Sequence, residues 1–323
     1  MGNAKPPAPP RPRRAFTLVE VLVATSVLIL MLMITLQIVN QSARVWSRSA
    51  DKMDSFQGAR NGFGLLTRTL SQATLNAYLD YDNATAPQYY VRKTDLGFYV
   101  GPAGDKSAPG TSGTGQCVFF QFPGGYATSD TYAALDSLLN GCGYYVVYGR
   151  PPGLPSHIPL AKAPYRYRLM QLLVPAEKNT VYTTGPNGWF ANPGAQASVL
   201  ADNVIALVLR AQDPSSTPPD LAPNYLYDST LGASTYPQPV TSNQLPPVLL
   251  VTLIAISESS ARRLDNGNGK PPGQIVEALA GKFQNAAQYT ADLAAVERSL
   301  SSAHIVYEVF SGAVPLRESK WSK

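Results

Sequence analysis

The sequence predicts an α+β fold: a long N-terminal helix that crosses a membrane, then packs on an antiparallel β-sheet domain. Three observations predict it. Phe16 to Val39 is an apolar run whose one charged member is Glu20. Apolar residues then recur at spacings of three and four up to Leu70, the period of a helix with one buried face. From Cys117 onward, short segments rich in β-branched and aromatic residues alternate with Pro-, Gly- and Asn-rich connections.

Residues 1–15 read as a leader. Lys5, Arg11, Arg13 and Arg14 lie there with no acidic residue, and the stretch Lys5–Pro12 is too Pro-rich to be helical. Basic residues before a hydrophobic segment stay in the cytoplasm, which places everything C-terminal of the segment outside. Residues 16–39 are the transmembrane helix; about 20 helical residues cross the hydrocarbon core at ~1.5 Å each. A secretory signal peptide has a shorter apolar region followed by a small-residue cleavage site. Ser42-Ala43 and Ser49-Ala50 are the candidates for that alternative. Glu20 is what a plain anchor would lack. A carboxylate at membrane depth costs roughly 2.5–3.5 kcal/mol on insertion scales, so a partner is expected.

Ala15-Phe16-Thr17-Leu18-Val19-Glu20-Val21-Leu22-Val23-Ala24 resembles the N-terminal signature of type IV pilin-like proteins, which include the pseudopilins of type II secretion. The resemblance implies a cut by a prepilin peptidase between Ala15 and Phe16, N-methylation of Phe16, and a filament built around the apolar helices. It makes Glu20 the assembly carboxylate, facing the new amine of Phe16 on its own or a neighbouring subunit. Two departures stand out: Ala15 replaces the usual Gly before the cut, and Gln37 occupies the place of a helix-kinking Pro. Val199–Leu207 and Leu245–Leu253 resemble segments of larger minor subunits, in the order found in the J-type minor pseudopilin. The tail, Val314–Trp321, is similar to prepilin-type proteins of bacterial gene cassettes (Verrucomicrobia, cassette protein C type). The implied function is a minor pilin or pseudopilin in the inner membrane, single-pass, with the N-terminus cytoplasmic and the body periplasmic or in an extracellular filament. The implied partners are the prepilin peptidase/N-methyltransferase and other pilins or pseudopilins. The alternatives are a pilus-tip adhesin or DNA-binding subunit, and a membrane-anchored exported protein of other function.

Residues 40–79 continue the helix. Phe56, Arg60 (by its methylene stem), Phe63, Leu66, Leu70 and Ala73 are expected inward; Asn61, Thr67, Arg68 and Ser71 outward. Gly58, Gly62 and Gly64 mark either a flexible point or close packing. Trp46, between Arg44 and Arg48, suits a membrane–water boundary or a packing neighbour.

Residues 80–323 form the β-rich body. Strands are expected at Leu96–Val100, Cys117–Phe122, Tyr144–Tyr148, Tyr165–Val174, Val204–Arg210, Val248–Ser257 and His304–Ser311. A helix is expected over Ala291–Ser302 with Thr290 as its cap. Tyr165-Arg166-Tyr167-Arg168-Leu169 alternates as a strand with one solvated face. Gly110–Gly115 reads as a mobile surface loop; no Gly-Lys-Ser/Thr ends it, so it is not a phosphate loop. In an exported body Cys117 and Cys142 are able to form a disulfide; the alternative is two buried thiols.

Composition narrows the chemistry. Four of the 26 basic residues lie in the leader, leaving 22 against 21 acids, too even a balance for a general nucleic-acid surface. The two histidines, His157 and His304, belong to no catalytic or metal-ligating spacing, and no Gly-x-Ser-x-Gly elbow is present. An enzyme is therefore not expected, nor a cofactor. The pilin-like resemblance adds calcium as a candidate ion without marking a site; Asp265–Gly269 departs from the EF-hand pattern, with Lys270 where Gly is needed.

Overall fold

The computed structural model describes residues 18–104, 109–132, 135, 137–151, 163–191 and 196–321, with the backbone alone at 40 and 43–55. The chain is mixed α+β, and its contacts divide it into two units at Met53/Asp54. Helix α1 spans Leu18–Leu70.

The second unit holds two antiparallel sheets. The larger has six strands in the order β7 (Ala197–Asp202), β6 (Arg166–Val174), β5 (Leu139–Gly149), β4 (Gln116–Pro123), β3 (Tyr99–Pro102) and β9 (Tyr227–Asp228). The smaller has three: β11 (Tyr307–Pro315), β10 (Val248–Ile256) and β8 (Val204–Gln212). A separate hairpin pairs β1 (Tyr78–Tyr81) with β2 (Tyr90–Lys93). Short helices α2 (Val181–Thr184), α3 (Glu258–Leu264) and α4 (Gly273–Leu279), and the longer α5 (Tyr289–Ser302), fill the connections.

The apolar pattern explains the layering. In β4, Gln116 to Phe122 is buried throughout, so both faces of the large sheet are covered. Val118 and Phe120 point to a core shared with β8, β10 and α1; Cys117 and Phe119 point to a second core with Trp189 and Phe190. Residues two apart on a strand share a face, and this alternation sorts the side chains between the two cores.

Backbone hydrogen bonds tie the sheets together at two junctions. Asn203 alone separates β7 from β8, at φ 62°. Its N–H donates to the Tyr167 carbonyl (2.7 Å) and its carbonyl accepts from the Ile256 N–H (2.9 Å), linking β6 to β10. Asn tolerates the left-handed region better than most residues, so a one-residue corner is affordable here. At the other junction the Leu207 N–H donates to the Thr114 carbonyl (3.0 Å). Next to it, Gly115 has φ +93°, and a Cβ there would lie 2.1 Å from the Leu207 oxygen, so only glycine fits.

From Phe56 onward α1 presents one face to this core. Phe56, Ala59, Leu66 and Leu70 are buried, as is Ala73 just past the helix end, and Phe63 meets Phe310 with ring centroids 6.1 Å apart. Arg60 is not inward as expected: it is exposed and pairs with Glu308 at 3.6 Å, while Ala59 takes the inner position. Of the three glycines only Gly62 is a packing site. A Cβ there would stand 3.2 Å from the Ala201 Cβ; at Gly58 and Gly64 it would meet nothing within 4 Å.

Other expectations shift. The Gly110–Gly115 loop is stitched down rather than mobile: the Thr111 N–H donates to the Val146 carbonyl (2.8 Å), the Thr111 hydroxyl accepts from the Tyr148 N–H (2.8 Å), and Thr114 is buried. Strand β3 starts at Tyr99 and β11 at Tyr307, each three residues later than predicted. Helix α5 begins at Tyr289 with Gln288 before it, so Thr290 lies inside the helix rather than capping it.

Candidate functional site: an apolar helix with one carboxylate

Leu18–Val39 is long and apolar enough to cross a membrane. The peptide groups are satisfied within the helix, which hydrocarbon demands of any spanning segment. Its three hydroxyl side chains are satisfied in the same way. Thr25 donates to the Leu22 carbonyl (3.0 Å), Ser26 to Val23 (2.8 Å) and Thr35 to Met31 (2.8 Å). Backbone carbonyls three or four residues earlier are the partners such hydroxyls find in helices. The large apolar side chains here are 49–81% exposed, on every side of the helix. A soluble core helix would hide one face; this stretch hides none among the described residues.

Glu20 sits in the first helical turn and is exposed. Ala15 and Phe16, the expected cleavage and methylation positions, lie outside the described residues, as do the leader and His157; the side chain of Trp46 does too.

The expected Cys117–Cys142 disulfide is not formed. Both thiols are buried, but on opposite faces of the large sheet. Phe120 stands opposite Cys142, so Cys117 is three register positions away, and an odd offset reverses the face. Cys117 donates instead to the Gly101 carbonyl (3.4 Å), and burial pushes the Cys142 thiol up to about 12. Among the described residues no group of three His, Cys, Asp or Glu side chains could hold a metal ion. In the Asp265 loop the carboxylate is engaged otherwise: Oδ2 accepts from Arg166 Nη1 (2.9 Å) and Oδ1 from the Gly267 N–H (3.0 Å). His304 closes the turn before β11 at φ 54°, its carbonyl accepting from Arg263 (2.7 Å).

Sequence reasoning missed a buried ionic cluster at the sheet junction. Arg166 and Arg168 were expected on a solvated face, yet they are 6% and 4% exposed. Arg166 reaches Asp265 and, at 3.4 Å, Glu258; Arg168 Nε lies 2.8 Å from Asp202 Oδ1 and its Nη1 donates to the Gly149 carbonyl. Glu258 also accepts from Asn203 (2.7 Å) and Arg262 (2.8 Å). Burial alone would raise the Glu258 carboxyl, but the hydrogen bonds from Asn203 and Arg262 and the charge of Arg166 hold it below its ordinary value. Burial lowers Arg168, and Asp202 opposes that. Tyr167, between the two arginines, is buried on the opposite face. The arrangement ties β6, β7, α3 and the loop after it into one unit; it resembles a structural clamp more than a reactive site.

Comparison with family models, with characterised proteins and with solved structures finds no match to this chain.

Proposed function

We propose that the chain is a minor pilin- or pseudopilin-like subunit, made as a precursor, cut before Phe16 and inserted into a membrane-based filament. The observation that carries this reading is the apolar helix Leu18–Val39, exposed on all sides, whose single charge is Glu20 in its first turn. Hydrocarbon would cover such a surface before assembly and neighbouring helices after it. A buried carboxylate then requires a cationic partner, and the amine freed at Phe16 by cleavage is one helical turn away. In this reading the helix starts in the inner membrane with its basic leader in the cytoplasm, and the β-rich body lies outside. The partners are the prepilin peptidase/N-methyltransferase and other pilin-like subunits.

The test is mass spectrometry of the N-terminus of the protein taken from its native membrane. The expected species begins at N-methylated Phe16. An intact leader, or a cut near Ala43 or Ala50, would overturn the reading and leave an anchored or secreted domain.

A further inference from the structure

The β1–β2 hairpin stands apart from both sheets and carries aromatic side chains in solvent. Direct partners in an antiparallel pair share a face, so Leu79 and Arg92 lie on the same side as Tyr81 and Tyr90. Leu79, Tyr81 and Tyr90 are 68%, 46% and 63% exposed, and the two tyrosine rings stack at 5.1 Å. Leu79 and Arg92, on the same face as the two rings, also line a cavity of about 300 Å³ with Leu75, Leu245, Glu318 and Lys320. That is the small end of the range for ligand sites.

The hairpin is held rigidly. Arg92 N–H donates to Gln238 Oε1 (2.7 Å), and Gln238 Nε2 returns a bond to the Arg92 carbonyl (2.9 Å), as a neighbouring strand would. The Arg92 guanidinium donates to the carbonyls of Ser242 (3.1 Å) and Pro239 (2.9 Å). On the other face Tyr89 stacks on Tyr236. A strand backbone fixed in this way leaves less to be ordered when a ligand settles on the face it carries.

We propose that this face and cavity bind a neutral oligosaccharide. The C–H face of a pyranose packs on an exposed tyrosine ring, and its hydroxyls need polar side chains at the rim, which Glu318 and Lys320, both exposed, supply. Local charge selects against ionic ligands: Arg92, Lys93 and Lys320 are balanced by Asp80, Asp82 and Glu318, with Lys93 and Asp80 already paired at 2.6 Å. A polyanion would meet no basic excess here. The inference concerns the body alone and holds whether or not Phe16 is processed.

The experiment is saturation-transfer NMR on the full chain in lipid nanodiscs, with cellotriose, maltotriose and chitotriose as probes and an oligothymidylate as the charged control. Transfer to at least one trisaccharide is expected, unaffected by raised salt. It should weaken about tenfold in Tyr90→Ala, persist in Tyr90→Phe, and persist in Tyr182→Ala, an exposed tyrosine elsewhere. Tyr90→Phe keeps the ring, so its behaviour separates stacking from any fault in folding. Transfer to none of the three sugars, transfer undiminished by Tyr90→Ala, or binding of the oligothymidylate alone would overturn the proposal.

Discussion

The two ends of helix α1 share a backbone conformation and little else. From Leu18 to Val39 every described side chain is exposed, apolar residues occupy all sides, and the hydroxyls turn to their own backbone. From Phe56 to Leu70 the buried positions fall at spacings of three and four, and Asn61, Gly64 and Arg68 lie outside. The difference teaches which environment each end is written for. A helix facing protein on one side and water on the other must divide its residues between two faces; a helix facing hydrocarbon all round has no reason to.

The largest effect that would sharpen this contrast is a truncation made once in each end. Leu66→Ala removes a fully buried side chain from the shared core and should cost about 2–5 kcal/mol, read as a lower denaturation midpoint of the body. Leu28→Ala, exposed in the apolar end, should leave that midpoint unchanged. Equal effects would break the comparison. A smaller effect separates the glycines. Gly62→Leu should destabilise by about 1–3 kcal/mol through its clash with Ala201, whereas Gly64→Ala, in open space, should stabilise by about 0.5–1 kcal/mol. The smallest is a pH effect confined to the body. The Glu258 carboxyl titrates below its ordinary value of 4.5 when folded, so its contribution is present above that pH and fades as pH falls through the lower folded value. Glu258→Gln should therefore flatten the stability curve on the acid side while leaving the slope near neutrality unchanged.

Much of this was legible because the signals are local. The apolar run, the helical spacing of Phe56, Phe63, Leu66 and Leu70, and strands β4, β6, β8 and β10 each carry their pattern within a few residues. Arg60 was misplaced because Ala59 and Arg60 both satisfy the spacing, and only the pairing with Glu308 decides between them. Strand β7 was lost because Val199–Leu207 reads as one continuous segment; the corner is an Asn, whose tolerance of positive φ was the available signal. The buried arginines were read as solvated because Glu258 and Asp265, two of their three partners, lie more than ninety residues away. Alternation shows that two faces differ, not that one is wet. For the apolar end the sequence supplied nearly the whole description, since its chemistry is that of a solvent rather than of a fold.

The account rests most directly on α1 being divided between hydrocarbon and protein, and site-directed cysteine labelling tests that. Single cysteines replace Leu28, Leu65 or Leu66 in the full chain in lipid nanodiscs, where the native thiols of Cys117 and Cys142 are buried. A membrane-impermeant maleimide should label Leu65→Cys rapidly, since that position is exposed on the body, and should label neither Leu66→Cys, covered by the core, nor Leu28→Cys, covered by lipid. Labelling of Leu28→Cys as fast as Leu65→Cys would contradict the account.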